Sequence, residues 1–411
     1  MKLQAKHTVR AGFVGYLTQA ITINFFPLLF ITFEKEFNLS LSKISLLIAI
    51  SFITQLTTDL LVAKYAKHLN TRAMAIAAHV LAILGMTGLA YLPFVLPPFS
   101  GLAASVILAA IGGGLTEVLI SPIVEACPVD TRKKSATMSL LHSFYSWGVA
   151  AITLFSTLFF LFVGIEHWRI LTCLWAIVPA VGVIAFAIVP IYELPTQEDM
   201  PHAEKKERSL LRTPLFWILF GMMLCGGAAE QVMLQWSSAF AESGLRVSKA
   251  MGDLLGPFAF AILMGSARVL YAFMSERIKL RRFITVSAVL CVLSYLLAAL
   301  SPSPLLSLLG CALCGLAVGI TWPGTLSLGA KNIPLGGVRM FALLAMAGDI
   351  GCLVGPTLIG WIAEALGNDL GRAFLVAALF PAIIIVLSML VGMLRKNKNR
   401  NQFPESEKEG I

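Results

Sequence analysis

Residues 112–128 read GGGLTEVLISPIVEACP and place the carboxylate of Glu117 inside an apolar run, with a second acid, Glu125, near its end. The glycines Gly112–Gly114 lie one helical turn before Glu117, and Pro122 follows it by five residues. A charge at the centre of a bilayer costs about 2.5–3.5 kcal/mol on insertion scales, so such a residue usually faces a cavity or a partner. Two interpretations are open. The stretch lines a solute path, or it is a close-packing seam whose carboxylate hydrogen-bonds to a neighbouring helix.

The composition of the whole chain is that of a membrane protein. Of its 411 residues, 58% are hydrophobic and 13% are charged, and the mean hydropathy is +0.84. Soluble domains carry about 25% charged residues, so the lipid bilayer is the expected partner of this surface. The net charge of +9 does not indicate nucleic-acid binding, because the basic residues form short clusters between apolar runs, as cytoplasmic loops do.

Twelve apolar runs are long enough to cross a bilayer as helices. They cover residues 11–33, 43–66, 73–96, 99–125, 136–163, 168–192, 214–240, 249–274, 281–300, 303–328, 339–365 and 371–394. With this count, 24 Lys and Arg residues lie on the side of the two termini and 6 on the other side, while Arg268 lies inside a run. The positive-inside rule therefore predicts that both termini are cytoplasmic in a multi-pass inner-membrane protein.

The runs divide into two groups of six. The predicted organisation is an N-terminal six-helix bundle (1–192), a charged cytoplasmic linker (193–213), a C-terminal six-helix bundle (214–394) and a polar cytoplasmic tail (395–411). A weak repeat supports two related halves. Asn24, Glu36 and Lys43 of the first half recur 206 residues later as Glu230, Glu242 and Lys249. The fold class is an all-α membrane protein with two pseudo-symmetric bundles related by an axis along the membrane normal.

Six plus six helices with a charged linker resemble the major facilitator superfamily, whose signature is a basic loop between helices 2 and 3 that is repeated between helices 8 and 9. The second copy reads AFMSERIKLRR over residues 272–282, with Glu276, Arg277 and Arg281 in place. The first copy, AKYAKHLNTR over 63–72, ends in Arg72 but has Lys67 where the family usually has an aspartate. The resemblance implies rocking of two halves about a central site, and a monomer.

Within that superfamily, the spacing from Glu117 to Pro122 is similar to the helix 4 motif of the fucose permeases and the glucose/galactose permeases. Their helix 5 carries a Gln-x-Phe-Asn-x-x-Gly run, and residues 142–148 here read HSFYSWG. The family also has an acid on helix 1, where this chain has Asn24. The resemblance implies proton-coupled sugar uptake with an altered sugar site and one carboxylate fewer.

The residue chemistry indicates two groups that titrate within the membrane. Burial favours the neutral form of a carboxylic acid, so Glu117 is a candidate proton carrier, with a fixed hydrogen-bond acceptor as the alternative. His142 is a second candidate for a proton relay, with an interhelical hydrogen-bond donor as the alternative.

Amide, aromatic and acidic side chains on helices 1, 4, 5, 7 and 10 are the predicted contacts of a sugar or polyol. Carboxamides offer donors and acceptors to hydroxyl groups, and an indole face packs against sugar C–H surface. The set is Gln19, Asn24, Glu117, Tyr145, Trp147, Glu230, Gln231, Gln235, Trp236 and Trp322. Trp236 has an alternative place in the outer aromatic belt.

Arg268 and Asp349 are predicted at similar membrane depth and form a candidate charge pair across the cavity. An unpaired Arg268 would instead point to a substrate with a carboxylate or phosphate group. The predicted function is proton-coupled transport of a monosaccharide or related polyol, and the alternative is export of an amphipathic or anionic compound.

An enzyme is not expected. No nucleotide loop, metal-ligand cluster or Ser/His/Asp constellation stands at usable spacing, so no cofactor and no metal are predicted.

Overall fold

The computed structural model describes residues 4–65, 70–128, 131–192, 210–274, 279–333 and 337–402, and these residues contain helices and no strands. Twelve spans follow one another along the chain. They are α1 (Ala5–Phe37), α2 (Leu41–Tyr65), α3 (Thr71–Val95), α4 (Pro98–Glu125), α5 (Thr131–Phe162), α6 (Ile165–Ile188), α7 (Pro214–Gly244), α8 (Lys249–Tyr271), α9 (Leu280–Leu300), α10 (Pro304–Gly329), α11 (Gly337–Ala365) and α12 (Leu370–Leu394). The predicted fold class and number of spans are confirmed.

Several span boundaries have local causes in the sequence. Asn70 accepts a hydrogen bond from the Ala73 amide at the start of α3, and Asp369 does the same for Arg372 at the start of α12. Such caps satisfy amides that have no partner in the helix. The helix of the last span continues to Gln402, eight residues past the predicted end of the bundle at 394.

Proline breaks the regularity of two spans. Pro27 lies in a 3₁₀ turn, Phe26–Leu29, inside α1, and Pro257 lies in a π-helical turn, Leu254–Phe258, inside α8. Proline removes a backbone donor, so both turns interrupt the α-helical hydrogen-bond pattern.

The two halves, α1–α6 and α7–α12, contact each other chiefly through two helix pairs, α2 with α11 and α5 with α8. The packing within each half is more extensive, as between α3 and α4 or between α7 and α11. The halves are therefore separate packing units joined along two lines of contact.

The hydrophobic cores show which end of the space between the halves is closed. We call the end that carries the α1–α2, α5–α6, α7–α8 and α11–α12 turns the distal face, and the end near both termini the terminal face. One large core near the distal face includes residues of both halves, among them Phe30, Trp168, Trp236 and Phe374. Toward the terminal face, the cores belong to single halves, one within residues 210–391 and another within 5–192. The central space is therefore closed at the distal face.

Candidate functional site

Three consecutive glycines of α4 bring three different helices to the centre of the N-terminal half. A Cβ at Gly112 would lie 2.6 Å from the Ala78 carbonyl oxygen of α3. At Gly113 it would lie 2.8 Å from Thr22 Oγ1 of α1, and at Gly114 it would lie 3.2 Å from Asp59 Oδ1 of α2. Each position excludes a side chain because a neighbouring helix packs there. The seam interpretation therefore holds for the glycines and leaves the role of Glu117 to its own contacts.

Glu117 lies one turn after these glycines and is surrounded by polar side chains. Its Oε2 accepts a hydrogen bond of 2.5 Å from Gln55 Nε2 of α2, and the carboxylate also hydrogen-bonds to Gln19 of α1. Tyr16 lies nearby and shares a 2.8 Å hydrogen bond with Ser121. The Glu117 side chain remains partly exposed, as expected for a group at a cavity rather than one sealed between helices.

Two further carboxylates interact electrostatically with Glu117. Asp59 is on α2, and Asp349 is on α11 of the other half. Asp59 and Gln55 are absent from the predicted site. They had a usable signal, because two polar residues four apart in an apolar run share one helix face.

The predicted charge pair between Arg268 and Asp349 is not formed. Among the described residues, no ion pair joins them, and the charged neighbours of Asp349 are Glu117 and Asp59. Arg268 instead donates to Ser146 Oγ of α5 at 3.1 Å and to the Gly319 carbonyl oxygen at 3.4 Å. The similar membrane depth of Arg268 and Asp349 correctly predicts that both lie near the central space. Depth does not determine the direction in which each side chain points around its helix.

A second polar group includes residues of both halves. Asn24 Nδ2 donates to the Tyr145 hydroxyl oxygen at 3.1 Å, and Glu230 interacts electrostatically with both Tyr145 and Arg268. Asn24 and Glu230, which the repeat relates, therefore both lie near Tyr145, one in each half. Asn24 Oδ1 and Glu230 Oε2 have no hydrogen-bond partner, so each has an acceptor left for a ligand.

The remaining polar residues of α7 are buried. Gln235 Nε2 donates to Gln231 Oε1 at 3.3 Å, and Gln235 lines a small cavity together with Thr22 of α1. Trp236 is fully buried, packs against Phe30 and donates from Nε1 to the Pro356 carbonyl oxygen at 2.9 Å. These contacts place Trp236 in the distal packing between the halves, and neither a cavity wall nor the outer aromatic belt describes it.

The other predicted aromatic contacts divide in a similar way. Ser146 contacts α8, and Gly148 packs on α1, so the intervening Trp147 points away from both helices; it is 48% exposed. This orientation toward the outer surface does not support its predicted contact with a solute. Trp322 packs on Gly348 of α11, next to Asp349. His142 lies within α5, and its side chain is outside the described residues.

Of the predicted loop motif, Arg72 and Arg281 are described, while Glu276 and Arg277 lie outside the described residues. Arg72 donates two hydrogen bonds of 2.8 Å to the carbonyl oxygens of Phe186 and Ala187 at the end of α6. Arg281 reaches the Ser388 carbonyl oxygen of α12 at 3.5 Å. Both arginines thus stabilise contacts between helices at the terminal face.

A group of polar contacts between the halves lies at the distal face, where it helps to close the central space. Lys249 of α8 pairs with Asp253 at 3.2 Å and also donates to the Leu28 carbonyl oxygen of α1. Asp253 is fully buried and accepts a hydrogen bond from Thr157 of α5 at 3.4 Å. Lys35 of α1 pairs with Glu242 of α7 at 3.4 Å. We call these three groups the distal latch: Lys249 with Asp253, Asp253 with Thr157, and Lys35 with Glu242.

Two bundles of six helices around a central polar space define the class of secondary transporters. Residues 11–338 match the family model of the Major Facilitator Superfamily, so the chain belongs to this superfamily. Its sequence is 31% identical to the membrane protein MosC of Rhizobium meliloti over 176 residues, which cover 43% of this chain and 42% of MosC. The match thus spans less than half of that relative.

Solved structures of the superfamily have the same fold at low sequence identity. The nucleoside transporter NupG aligns with a TM-score of 0.73 at 15% identity, over 95% of this chain and 99% of that chain. A D-xylose-proton symporter gives a TM-score of 0.72 at 15% identity, over 91% of this chain and 96% of that chain. The fucose:proton symporter FucP of E. coli gives 0.62 at 15% identity, over 94% and 98%. At these identities the similarity concerns the fold.

Proposed function

We propose that this protein moves a small polyhydroxylated solute, a monosaccharide or a related polyol, by proton-coupled alternating access. The observation that carries the proposal is the group of Gln19, Gln55 and Glu117 at a space between two halves that is closed at the distal face. Amide and carboxylate groups at such a space can replace the water around solute hydroxyl groups. The halves then rock about this fixed site to expose it at the other face.

Glu117 is the proposed proton carrier. It is partly exposed to the cavity, and its two amide donors reach it from α1 and α2. Because these donors stabilise the ionised form, and the surrounding helices favour the neutral form, the carboxyl group is suited to exchanging a proton as its surroundings change. His142 remains a candidate relay on α5.

The positive-inside distribution of Lys and Arg supports a place in the cytoplasmic membrane with both termini in the cytoplasm. In that orientation the site is closed toward the outside and accessible from the cytoplasm. We also propose that one chain is sufficient for transport, because the polar groups of both halves complete the site within the monomer.

Uptake into proteoliposomes tests the function. A panel of radiolabelled neutral, amino and acidic monosaccharides is offered under an imposed proton gradient, with and without a protonophore. We expect accumulation of at least one member, loss of accumulation with the protonophore, and loss in Glu117→Gln. Accumulation that is indifferent to both the protonophore and the substitution would refute proton coupling through Glu117.

A second candidate function, export of an anionic compound, is favoured by one contact pattern. Arg268 donates to two neutral oxygens and to the Met264 sulfur, and it forms no ion pair among the described residues. Its charge is therefore available to a carboxylate or phosphate. Binding that is lost in Arg268→Gln, retained in Gln231→Leu and retained in the control Arg246→Gln at the distal surface would favour this candidate.

A further inference from the structure

Around Glu117, acidic side chains from three helices and both halves outnumber the basic ones among the described residues. Asp59 of α2, Glu117 of α4 and Asp349 of α11 interact with one another electrostatically, and Glu230 of α7 interacts with Tyr145 and Arg268. Arg268 is the described cation near this group, and its hydrogen bonds go to Ser146, Gly319 and the Met264 sulfur. The tyrosines Tyr16 and Tyr145 also face it. We call Asp59, Glu117 and Asp349 the acidic triad.

The buried side-chain amides beside the acidic triad have oxygen atoms that accept no hydrogen bond. Gln55 is 6% exposed and Gln19 is 4% exposed, and the Oε1 atom of each has no hydrogen-bond partner. The same amide groups contact Glu117, so their oxygens lie at the triad rather than elsewhere in the fold. Asp59 Oδ1 also has no partner. A buried acceptor without a donor costs about 1–3 kcal/mol, so these atoms indicate a ligand that brings donors.

The kind of ligand follows from what the site has in excess. It offers acceptors and carboxyl groups, whose ionised form a bound cation stabilises. An ammonium group offers three donors, one positive charge and no acceptor. A hydroxyl group brings one donor and no charge, so most of the unpartnered oxygens would still lack a donor. A multivalent metal ion fits less well, because no group of three metal-ligating side chains at coordinating distance occurs in the described part of the chain.

We propose that the solute carries a protonated amino group that binds at the acidic triad, so that an amino sugar or amino polyol is the substrate class. The hydroxyl groups of the same solute reach Asn24, Tyr145 and Glu230. The inference rests on the proposed function, since it assigns the polarity of the ligand at the same site.

Binding of three matched sugars to the purified full-length protein tests the inference. Glucosamine, glucose and glucuronate differ in charge on one hexose frame, and each is titrated while the melting temperature is followed. We expect glucosamine to raise the melting temperature at concentrations where glucose and glucuronate do not. Asp59→Asn and Asp349→Asn should weaken glucosamine binding at least about tenfold, because each removes one charge partner of the ammonium group. Glu166→Gln, at the exposed distal surface, is the control and should bind as the wild type does.

The other outcomes separate this inference from the proposed function. Stabilisation by glucose and not by glucosamine overturns the amine assignment and leaves polyol transport standing. Stabilisation by glucuronate that depends on Arg268 overturns it in favour of the anionic candidate. Stabilisation by sodium chloride over choline chloride with no effect of any sugar assigns the triad to an ion and overturns it. Should none of these ligands bind while the protein remains folded, both the inference and the proposed substrate class fail.

Discussion

Gln55 is the residue on which the state of Glu117 depends most directly. Its amide donates a 2.5 Å hydrogen bond to the carboxylate, whereas the neighbouring Gln231–Gln235 contact is a 3.3 Å bond between two neutral groups. Hydrogen bonds to charged groups contribute more than neutral ones. Substitutions of Gln55 and Gln231 therefore form a matched pair, which measures how much stability the hydrogen bond to the carboxylate contributes.

We expect Gln55→Leu to lower the free energy of unfolding by about 1.5–3 kcal/mol, because a charged acceptor loses its donor. Gln231→Leu should cost about 0.5–1.5 kcal/mol, as for a neutral hydrogen bond. Denaturation of the detergent-solubilised protein measures both. In the double variant Gln55→Leu/Glu117→Gln, the cost of the first substitution should shrink. Additive costs would show that the two side chains are not coupled.

For single residues, the sequence predicts which side chains belong to the site better than it predicts what they contact. Glu117, Gln19 and Asn24 stand out because polar groups inside apolar runs are costly. Asp59 was missed because it lies near the end of its run, where the α2 helix becomes polar. The pairing of Arg268 with Asp349 failed, and the outward orientation of Trp147 was not foreseen, because both depend on the rotation of a helix about its axis, which packing between helices determines.

The packing of α11 on α7 connects the candidate site to the C-terminal half. Gly351 lies against the Leu224 carbonyl group, and a Cβ at Gly355 would lie 2.8 Å from the Cα of Ala228. Backbone atoms cannot move aside as side chains do. This seam therefore holds Asp349 at a fixed distance from α7.

Gly351→Ala is expected to destabilise the protein by about 1–3 kcal/mol, the usual cost of overpacking. Gly221→Ala is the control on α7, the helix against which Gly351 packs. The added Cβ would meet only the Leu387 Cδ1 atom, at 3.0 Å, so this substitution should cost much less. Thermal unfolding of the two variants provides the comparison. Equal melting temperatures of the two variants would contradict the claim that α11 packs more tightly at Gly351 than α7 does at Gly221.

The order and extent of the helices could be read almost entirely from the sequence. Apolar length and the positive-inside bias predict twelve spans within a few residues. The continuation of the last helix to Gln402 was not foreseen, since a polar helix end has no apolar signal. The breaks at Pro27 and Pro257 follow from proline itself, but their 3₁₀ and π geometry does not.

For the whole molecule, the distal latch determines which face is closed. Lys249 satisfies the buried charge of Asp253 and also bonds to the Leu28 carbonyl group across the halves. A distal surface cavity of about 620 Å³ reaches Lys249, Lys35 and Glu242, so water can replace these contacts when the halves separate.

Lys249→Met should shift the population toward a conformation that is open at the distal face, because Asp253 then lacks its cation and gains by reaching water. Spin labels at Asn38→Cys and Arg246→Cys, both exposed distal positions of opposite halves, report the separation. We expect a larger fraction of long distances than in the wild type. Lys43→Met removes an exposed lysine that forms no ion pair among the described residues, and it should leave the distances unchanged. An unchanged distribution in Lys249→Met would argue against the latch.

The central claim is that Glu117 carries the proton that accompanies the solute through the space between the halves. Proteoliposomes that enclose a pH-sensitive dye, without an imposed gradient, measure it when solute is added outside. The account predicts a change of internal pH that follows solute entry in the wild type. In Glu117→Gln, exchange of labelled for unlabelled solute should continue while the pH change is lost. An equal pH change in both proteins, or solute entry into wild-type vesicles at constant internal pH, would contradict the account.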